Sequence, residues 1–183
     1  DREYRMVPER PGERNESAKV SSRAKEELNW VAKKELKHYI EEKTKIMTIG
    51  ILGNGFVGQA NALLESKRVN VMIYDIVPDK CKPAGLQLKD MKDCEVFFIA
   101  VPTPKMESGK CCTRFVETAI QSIRSELGDK PICVRSTVPV GFCKSHKVHF
   151  MPEFLTEKNW KSDFINNENW VVGTYGNNQS FIK

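Results

Sequence analysis

"KIMTIGILGNGFVGQANALLESK", residues 45–67, decides the fold. It begins with a mostly apolar run from Ile46 to Leu52, the length of a buried strand. Gly53-Asn54-Gly55-Phe56-Val57-Gly58 follows as G-x-G-x-x-G, and a helical pattern then continues to about Lys67. In such a strand–turn–helix unit the first glycine permits the tight turn. The second lets the backbone approach a pyrophosphate, and the third allows close helix-to-strand contact. A bare match is weak evidence, so the next strand matters. "VNVMIYD", residues 69–75, ends in Asp75, where a carboxylate can accept hydrogen bonds from an adenosine ribose. An acid there favours NAD over NADP, because a 2′-phosphate would meet a like charge; Lys80 at the same edge softens the preference. A glycine-rich turn serving some other ligand is the plain alternative.

Working outward, four more strand patterns follow: "CEVFFIAVP" (94–102), "PICVRSTVP" (131–139), "KVHF" (147–150) and "WVVG" (170–173). Between the first two lies "CTRFVETAIQSIRSELG" (112–128), with Phe115, Val116, Ala119, Ile123 and Leu127 at helical spacing and Gly128 as its stop. Residues 80–93, broken by Pro83 and Gly85, leave room only for a short helical turn. Strands alternating with helices predict an α/β fold, a Rossmann-like doubly wound and mostly parallel sheet. Ligands of such sheets sit at the carboxyl ends of the strands. "VPTP" (101–104), "STVPVG" (136–141) and "MPEFLTE" (151–157) belong there, offering the Ser136 and Thr137 hydroxyls and the Glu153 and Glu157 carboxylates. Those two glutamates are one turn apart if their segment is helical. Equally, Pro139 and Pro152 can simply shape turns, and an exposed glutamate is usually solvated.

Composition narrows the class. With 40% hydrophobic and 29% charged residues, the 183-residue chain has enough apolar material for a packed core and is not a disordered sequence. The net charge of +5 comes from 29 basic and 24 acidic residues that are interspersed, which argues against a nucleic-acid partner. No apolar run reaches membrane-spanning length and no signal segment opens the sequence, so a cytoplasmic location without a membrane partner is expected. The six cysteines form no C-x-x-C pair and the three histidines are scattered, which predicts reduced core thiols and no metal site. Ahead of the glycine loop, residues 1–20 carry Pro8, Pro11 and Gly12 among many charges. Two short helices are predicted after them, in "SSRAKEELNW" (21–30) and "KKELKHYIEEK" (33–43). The expected organisation is a tail or linker over 1–44, a helical appendage, and a compact NAD-binding domain over 45–183.

Taken in order, "IGILGNGFVG", "YDIVPDK", "VFFIAVPTP", "RSTVPVG" and "PEFLTE" followed by "DF" and "WVVG" resemble the NAD-binding domain of the UDP-glucose/GDP-mannose dehydrogenases over roughly residues 46–174. The resemblance implies oxidation of a nucleotide-sugar C6 hydroxyl to the uronic acid, with two NAD and an enzyme-bound thiohemiacetal and thioester. It implies that the loop Gly53, Asn54, Gly55, Phe56, Val57 and Gly58 holds the pyrophosphate, with Asp75 and Lys80 at the ribose. Val101, Pro102 and Thr103 would line the dinucleotide, and Ser136 and Thr137 would lie near the nicotinamide. Thr137 would position water, Glu153 would serve acid–base and thioester-hydrolysis chemistry, and Leu155 and Glu157 would touch the sugar nucleotide. In this family the nucleophilic cysteine, the central helix used for dimerisation and the sugar-binding second domain lie downstream of these motifs. None of the six cysteines here matches the nucleophile motif, so the chain is expected to bind NAD without completing the reaction. Only about nineteen residues separate Asp75 from Glu95, where the family has a further strand and helix, and the link from "STVPVG" to "PEF" is also short. A sheet lacking an edge strand and a shallower pocket follow, as in a compact viral or divergent homologue or a degenerate binding module.

"RPGERNESAKVSSRAKEELNWVAKKELKHYIEE", residues 10–42, resembles a different family, the C-terminal tail of extended short-chain nucleotide-sugar epimerases and dehydratases. The resemblance implies that Arg10 contacts a nucleotide diphosphate; Asn29 and Ala32 stand where that tail usually has glycine and proline. Together with a first residue other than Met, the two resemblances lead to an expected fragment of a larger or fused protein. Its partners would be a nucleotide sugar such as UDP-glucose, an upstream epimerase-like module and a downstream sugar-binding module. A noncatalytic NAD or nucleotide-sugar binding module, or an auxiliary part of an epimerase or dehydratase, are the alternatives.

Overall fold

The computed structural model describes Glu26, Glu27, Asn29 and residues 44–176. The chain divides into two units, Asp1–Thr44 and Lys45–Lys183. The two helices expected between residues 21 and 43, and Arg10, lie outside the described residues apart from the helical, exposed Glu26 and Glu27.

The second unit is built on five parallel strands in the order β2-β1-β3-β4-β5. These are β1 (Met47–Leu52), β2 (Val69–Tyr74), β3 (Val96–Ile99), β4 (Ile132–Val134) and β5 (His149–Phe150). Helix α1 (Phe56–Ala62) joins β1 to β2, α2 (Arg114–Leu127) joins β3 to β4, and α3 (Phe142–Ser145) joins β4 to β5. Helix α4 (Trp160–Ile165) follows the sheet. Leu52 pairs with Tyr74 on one side and with Ile99 on the other, so the carboxyl ends of the three central strands are level. Because β2 lies to one side of β1 and β3 to the other, the winding direction reverses there. A crevice opens at such a switch point.

The short link after Asp75 has its expected consequence: β2 is the sheet's edge. The chain there forms only two 3-10 turns, Pro78–Lys80 and Leu88–Met91. Ile73 and Lys82 exchange two backbone hydrogen bonds of 2.8 Å, which partly covers the open edge of β2.

Side chains alternate across the sheet as the pleat requires. Phe97 and Ile99 pack with Val116, Ile120 and Ile123 of α2 on one face, while Ile49, Ile51, Val71, Ile73, Phe98 and Cys133 form a second cluster on the other. Three sequence expectations are corrected. α2 buries Ile120 alongside Val116, Ala119 and Ile123, whereas Phe115 is 41% exposed, on the side of the helix turned away from that packed face. α1 ends at Ala62 rather than near Lys67: the Leu63 and Leu64 amides donate to Ala60 and Asn61, tightening the last turn before the Ser66–Val69 reversal into β2. "WVVG" is not a strand. Gly173 exchanges bonds of 2.7 and 2.8 Å with Phe150, but Val171 and Val172 are both exposed and no ladder extends from that bridge. Among the described residues no helix is long and apolar enough to cross a membrane.

Candidate functional site

A cavity of about 460 Å³ opens at the carboxyl ends of β1, β2 and β3. Gly53, Asn54 and Gly55 form one wall, Asp75 and Lys80 another, and Val101 and Pro102 a third. A second hollow of about 480 Å³ is lined only by residues 158–162 and Ile165 on and just before α4, so no strand end reaches it.

The three loop glycines are held to different standards by the fold. Gly53 has φ +97°, and a Cβ there would lie 2.5 Å from the Ala100 carbonyl oxygen. A Cβ on Gly58 would lie 2.0 Å from the Gly53 carbonyl oxygen, so the closeness of helix and loop forbids any side chain. Gly55 differs: its φ is −78°, and nothing lies within 4 Å of where its Cβ would be. No part of the described structure requires that residue to be glycine. Open space beside a backbone at the mouth of a cavity suits a close-fitting ligand.

Asp75 is tied into this loop. One carboxylate oxygen accepts the Asn54 amide at 2.8 Å and the other accepts the Val77 amide at 2.9 Å. The Asn54 side-chain amide donates to the Lys80 carbonyl at 2.7 Å. Asp75 and Lys80 therefore shape the glycine loop as well as lining the cavity, and the carboxylate retains lone pairs for hydroxyl donors.

The structure groups Gly53, Asn54, Gly55, Asp75, Lys80, Val101 and Pro102 around this one cavity. Phe56, Val57 and Gly58 run into α1 behind the loop, and neither they nor Thr103, Ser136, Thr137, Glu153, Leu155 or Glu157 line it. Ser136 is buried; its hydroxyl lies 2.7 Å from the Val101 carbonyl and 3.3 Å from that of Ile99, joining the ends of β3 and β4. Thr137 is exposed, and its carbonyl accepts the Cys111 thiol at 3.4 Å.

"PEFLTE" is a turn rather than a helix. Glu153 accepts the Leu155 amide at 2.8 Å, and Asp163 accepts both the Thr156 amide at 2.7 Å and its hydroxyl at 2.6 Å. Those two bonds hold the Asp163 carboxyl below the usual range. Glu153 and Glu157 thus do not share a helical face. Beneath this turn Arg135 is 1% exposed, with its Nη1 donating to the Pro152 carbonyl at 3.5 Å and its guanidinium 5.8 Å from the Trp170 ring centre. Burial pushes its pKa down, and nearby Cys133 and Glu153 act in the opposite direction.

The sequence did not single out the α2 side of the cavity. Phe115, Thr118, Ser122 and Glu126 line it together with Leu88. The available signal was the stripe Thr118, Ser122, Glu126 at four-residue spacing, polar positions along one edge of an apolar face. All six cysteines are free, and none lines the cavity. Burial pushes the thiols of Cys94 and Cys143 up to about 11 and that of Cys133 up to about 12, leaving these three protonated and poor nucleophiles at neutral pH.

A family model, the UDP-glucose/GDP-mannose dehydrogenase family NAD binding domain, matches residues 84–182, just over half the chain and entirely beyond the glycine loop. UDP-glucose 6-dehydrogenase of Streptococcus pneumoniae is 27% identical over 162 residues, covering 70% of this chain and 41% of that protein. An uncharacterized protein of Methanocaldococcus jannaschii is 29% identical over 166 residues, 69% of this chain and 18% of its own length. Against both, the chain spans less than half of the relative's length. Among solved structures, UDP-glucose dehydrogenase from Pyrobaculum islandicum superposes with a TM-score of 0.62 at 23% identity, covering 76% of this chain and 43% of that one. GDP-mannose dehydrogenase from Pseudomonas aeruginosa gives 0.60 at 20%, covering 74% and 43%. These two likenesses show a shared fold. With more than half of its residues matched by the family's own model, the chain belongs to the UDP-glucose/GDP-mannose dehydrogenase family, through that family's NAD binding domain.

Proposed function

We propose that this chain is the NAD-binding portion of a nucleotide-sugar 6-dehydrogenase that takes UDP-glucose or a similar substrate to its uronic acid. The observation that carries the proposal is Gly55: at the lip of a 460 Å³ cavity, the one loop glycine the fold does not need is the one a pyrophosphate would need. NAD, when bound, supplies the hydride acceptor. Gly53, Asn54, Gly55 and the first turn of α1 from Phe56 to Gly58 would hold its phosphates. Asp75, with Lys80 beside it, would accept the ribose hydroxyls, and its charge favours NAD over NADP. Val101, Pro102 and Thr103 would flank the dinucleotide, and Ser136 would keep the ends of β3 and β4 together near the nicotinamide.

Further along the same carboxyl edge, Thr137 is assigned to water positioning, Glu153 to acid–base work, and Leu155 and Glu157 to the sugar nucleotide. A cytoplasmic setting, dimerisation, and neighbouring epimerase-like and sugar-binding modules belong to this proposal, as does Arg10 at a nucleotide diphosphate. So does the division into a tail over 1–44 and a cofactor domain over 45–183.

A second reading of the same cavity is a noncatalytic NAD-binding module, in which Gly55 and Asp75 hold the dinucleotide as above. Calorimetric titration tests what both share: saturable heat for one NAD per chain is expected, and no heat up to about 1 mM would overturn both. NADH formation from UDP-glucose by the protein containing this chain separates them. Production supports the dehydrogenase; NAD binding without production supports the module.

A further inference from the structure

Arg135 is the least expected buried residue among those described. It is 1% exposed, and its Nε and Nη2 have no hydrogen-bond partner among the described residues. Leaving donors of a buried cation unmade is costly, and such a group is normally paired. The two unpartnered nitrogens are not a random pair: they form one side of the guanidinium fork, the edge that takes a carboxylate through two parallel N–H···O bonds. Nη1, on the other side, is turned to the Pro152 carbonyl. Each of these two atoms exposes less than 1 Å², so the edge is shut off from bulk solvent.

The partner must then come from the protein. Among the described residues, Cys133 and Glu153 act on the guanidinium electrostatically, in the direction that favours its charged form. The Cys133 thiol, pushed up to about 12 by burial, is neutral at pH 7 and supplies no charge. Glu153 immediately follows Pro152, is partly buried, and holds the Leu155 amide through one carboxylate oxygen.

We infer that the Nε–Nη2 edge of Arg135 is a second seat for the Glu153 carboxylate, reached by rotation of that side chain away from the Leu155 amide. Arg135 is then a positioning residue: it gives the carboxylate a second defined place, on the cation, beside the one it has in the turn. Its use for acid–base work rests on the reading of Glu153 proposed above; the pairing itself does not.

A stability cycle at pH 7 tests the pairing without any cofactor. Glu153→Gln should lower the folded-to-unfolded ratio about tenfold or more in the wild-type chain, because it strands a buried charge. The same loss should appear in Arg135→Lys, which keeps the charge, and should shrink below about twofold in Arg135→Met, which keeps the apolar stem but has no cation to strand. An equal loss in the wild type and Arg135→Met overturns the pairing, since a purely steric role for Glu153 would be indifferent to the charge. The Nε–H resonance of Arg135 gives a readout that requires no change at Arg135. It should be slow to exchange with water and should move in Glu153→Gln; a resonance unchanged by that variant also overturns the inference. NAD titration of the same variants keeps the cofactor proposal separate, because the cycle stands whether or not NAD binds.

Discussion

Gly55→Asp should raise the Kd for NAD about a hundredfold or more, equivalent to ~2.7 kcal/mol, while leaving the chain folded and at least as stable as the wild type. The backbone of Gly55 is ordinary, with φ −78° and ψ −171°, and no atom of the described residues lies within 4 Å of the point where a Cβ would stand, so an aspartate meets no steric obstacle there. The position is also the N-cap of α1, where aspartate is among the preferred residues. Fold stability should therefore hold or rise slightly. A ligand pyrophosphate sees the opposite. The new carboxylate fills the space that close approach requires and brings a like charge to within a few ångströms, a repulsion of about 1 kcal/mol in water and about 4 kcal/mol at a partly desolvated protein surface. Calorimetry of NAD binding together with thermal unfolding separates the two effects.

Gly58→Ala should do the reverse, damaging the fold first and binding only as a consequence. The added methyl would sit 2.0 Å from the Gly53 carbonyl oxygen, and that obstacle is backbone, not a side chain that can swing away. Gly53 cannot yield easily, because its own φ of +97° and its approach to Ala100 fix the turn. α1 must then move off β1. Overpacking of this kind costs about 3 kcal/mol, which for a chain of this size lowers Tm by about 9 °C. Urea denaturation should show a lower midpoint with an unchanged slope. Weaker NAD binding should accompany the loss in rough proportion to the displacement of the loop.

The contrast between these glycines bears on what the sequence could reveal. Spacing identified all three and the Asp75 that follows, because a strand–turn–helix unit leaves few alternatives for such a pattern. It could not divide them, since Gly53 is constrained by Ala100, a contact across 47 residues, and Gly58 by how closely the helix approaches the Gly53 carbonyl. Nor could it show that Asp75 braces the Asn54 and Val77 amides in addition to facing the cavity. Phe115 illustrates a limit of periodicity: at the end of an apolar stripe, the same spacing serves the core and the wall of a crevice. The missing edge strand was legible from length alone, because the residues between Asp75 and Glu95 cannot cover a helix, a strand and two turns. "WVVG" looked like a strand because valines and an aromatic favour extended backbone, yet only Gly173 finds a partner. Arg135 lay hidden for another reason. An arginine at a strand end is ordinarily solvated, and it is the turn carrying Pro152 and the Trp170 ring, both distant in sequence, that lie against this one.

Amide mapping of NAD binding by two-dimensional NMR is the most direct test that the cavity at the ends of β1, β2 and β3 is the cofactor site. Saturating NAD should move the resonances of Gly55, Ile76, Val101 and Ser122, from all three walls and from α2, and leave those of Lys158 to Ile165 in place. Shifts confined to residues around α4, or binding that leaves Gly55 and Val101 unmoved, would contradict it.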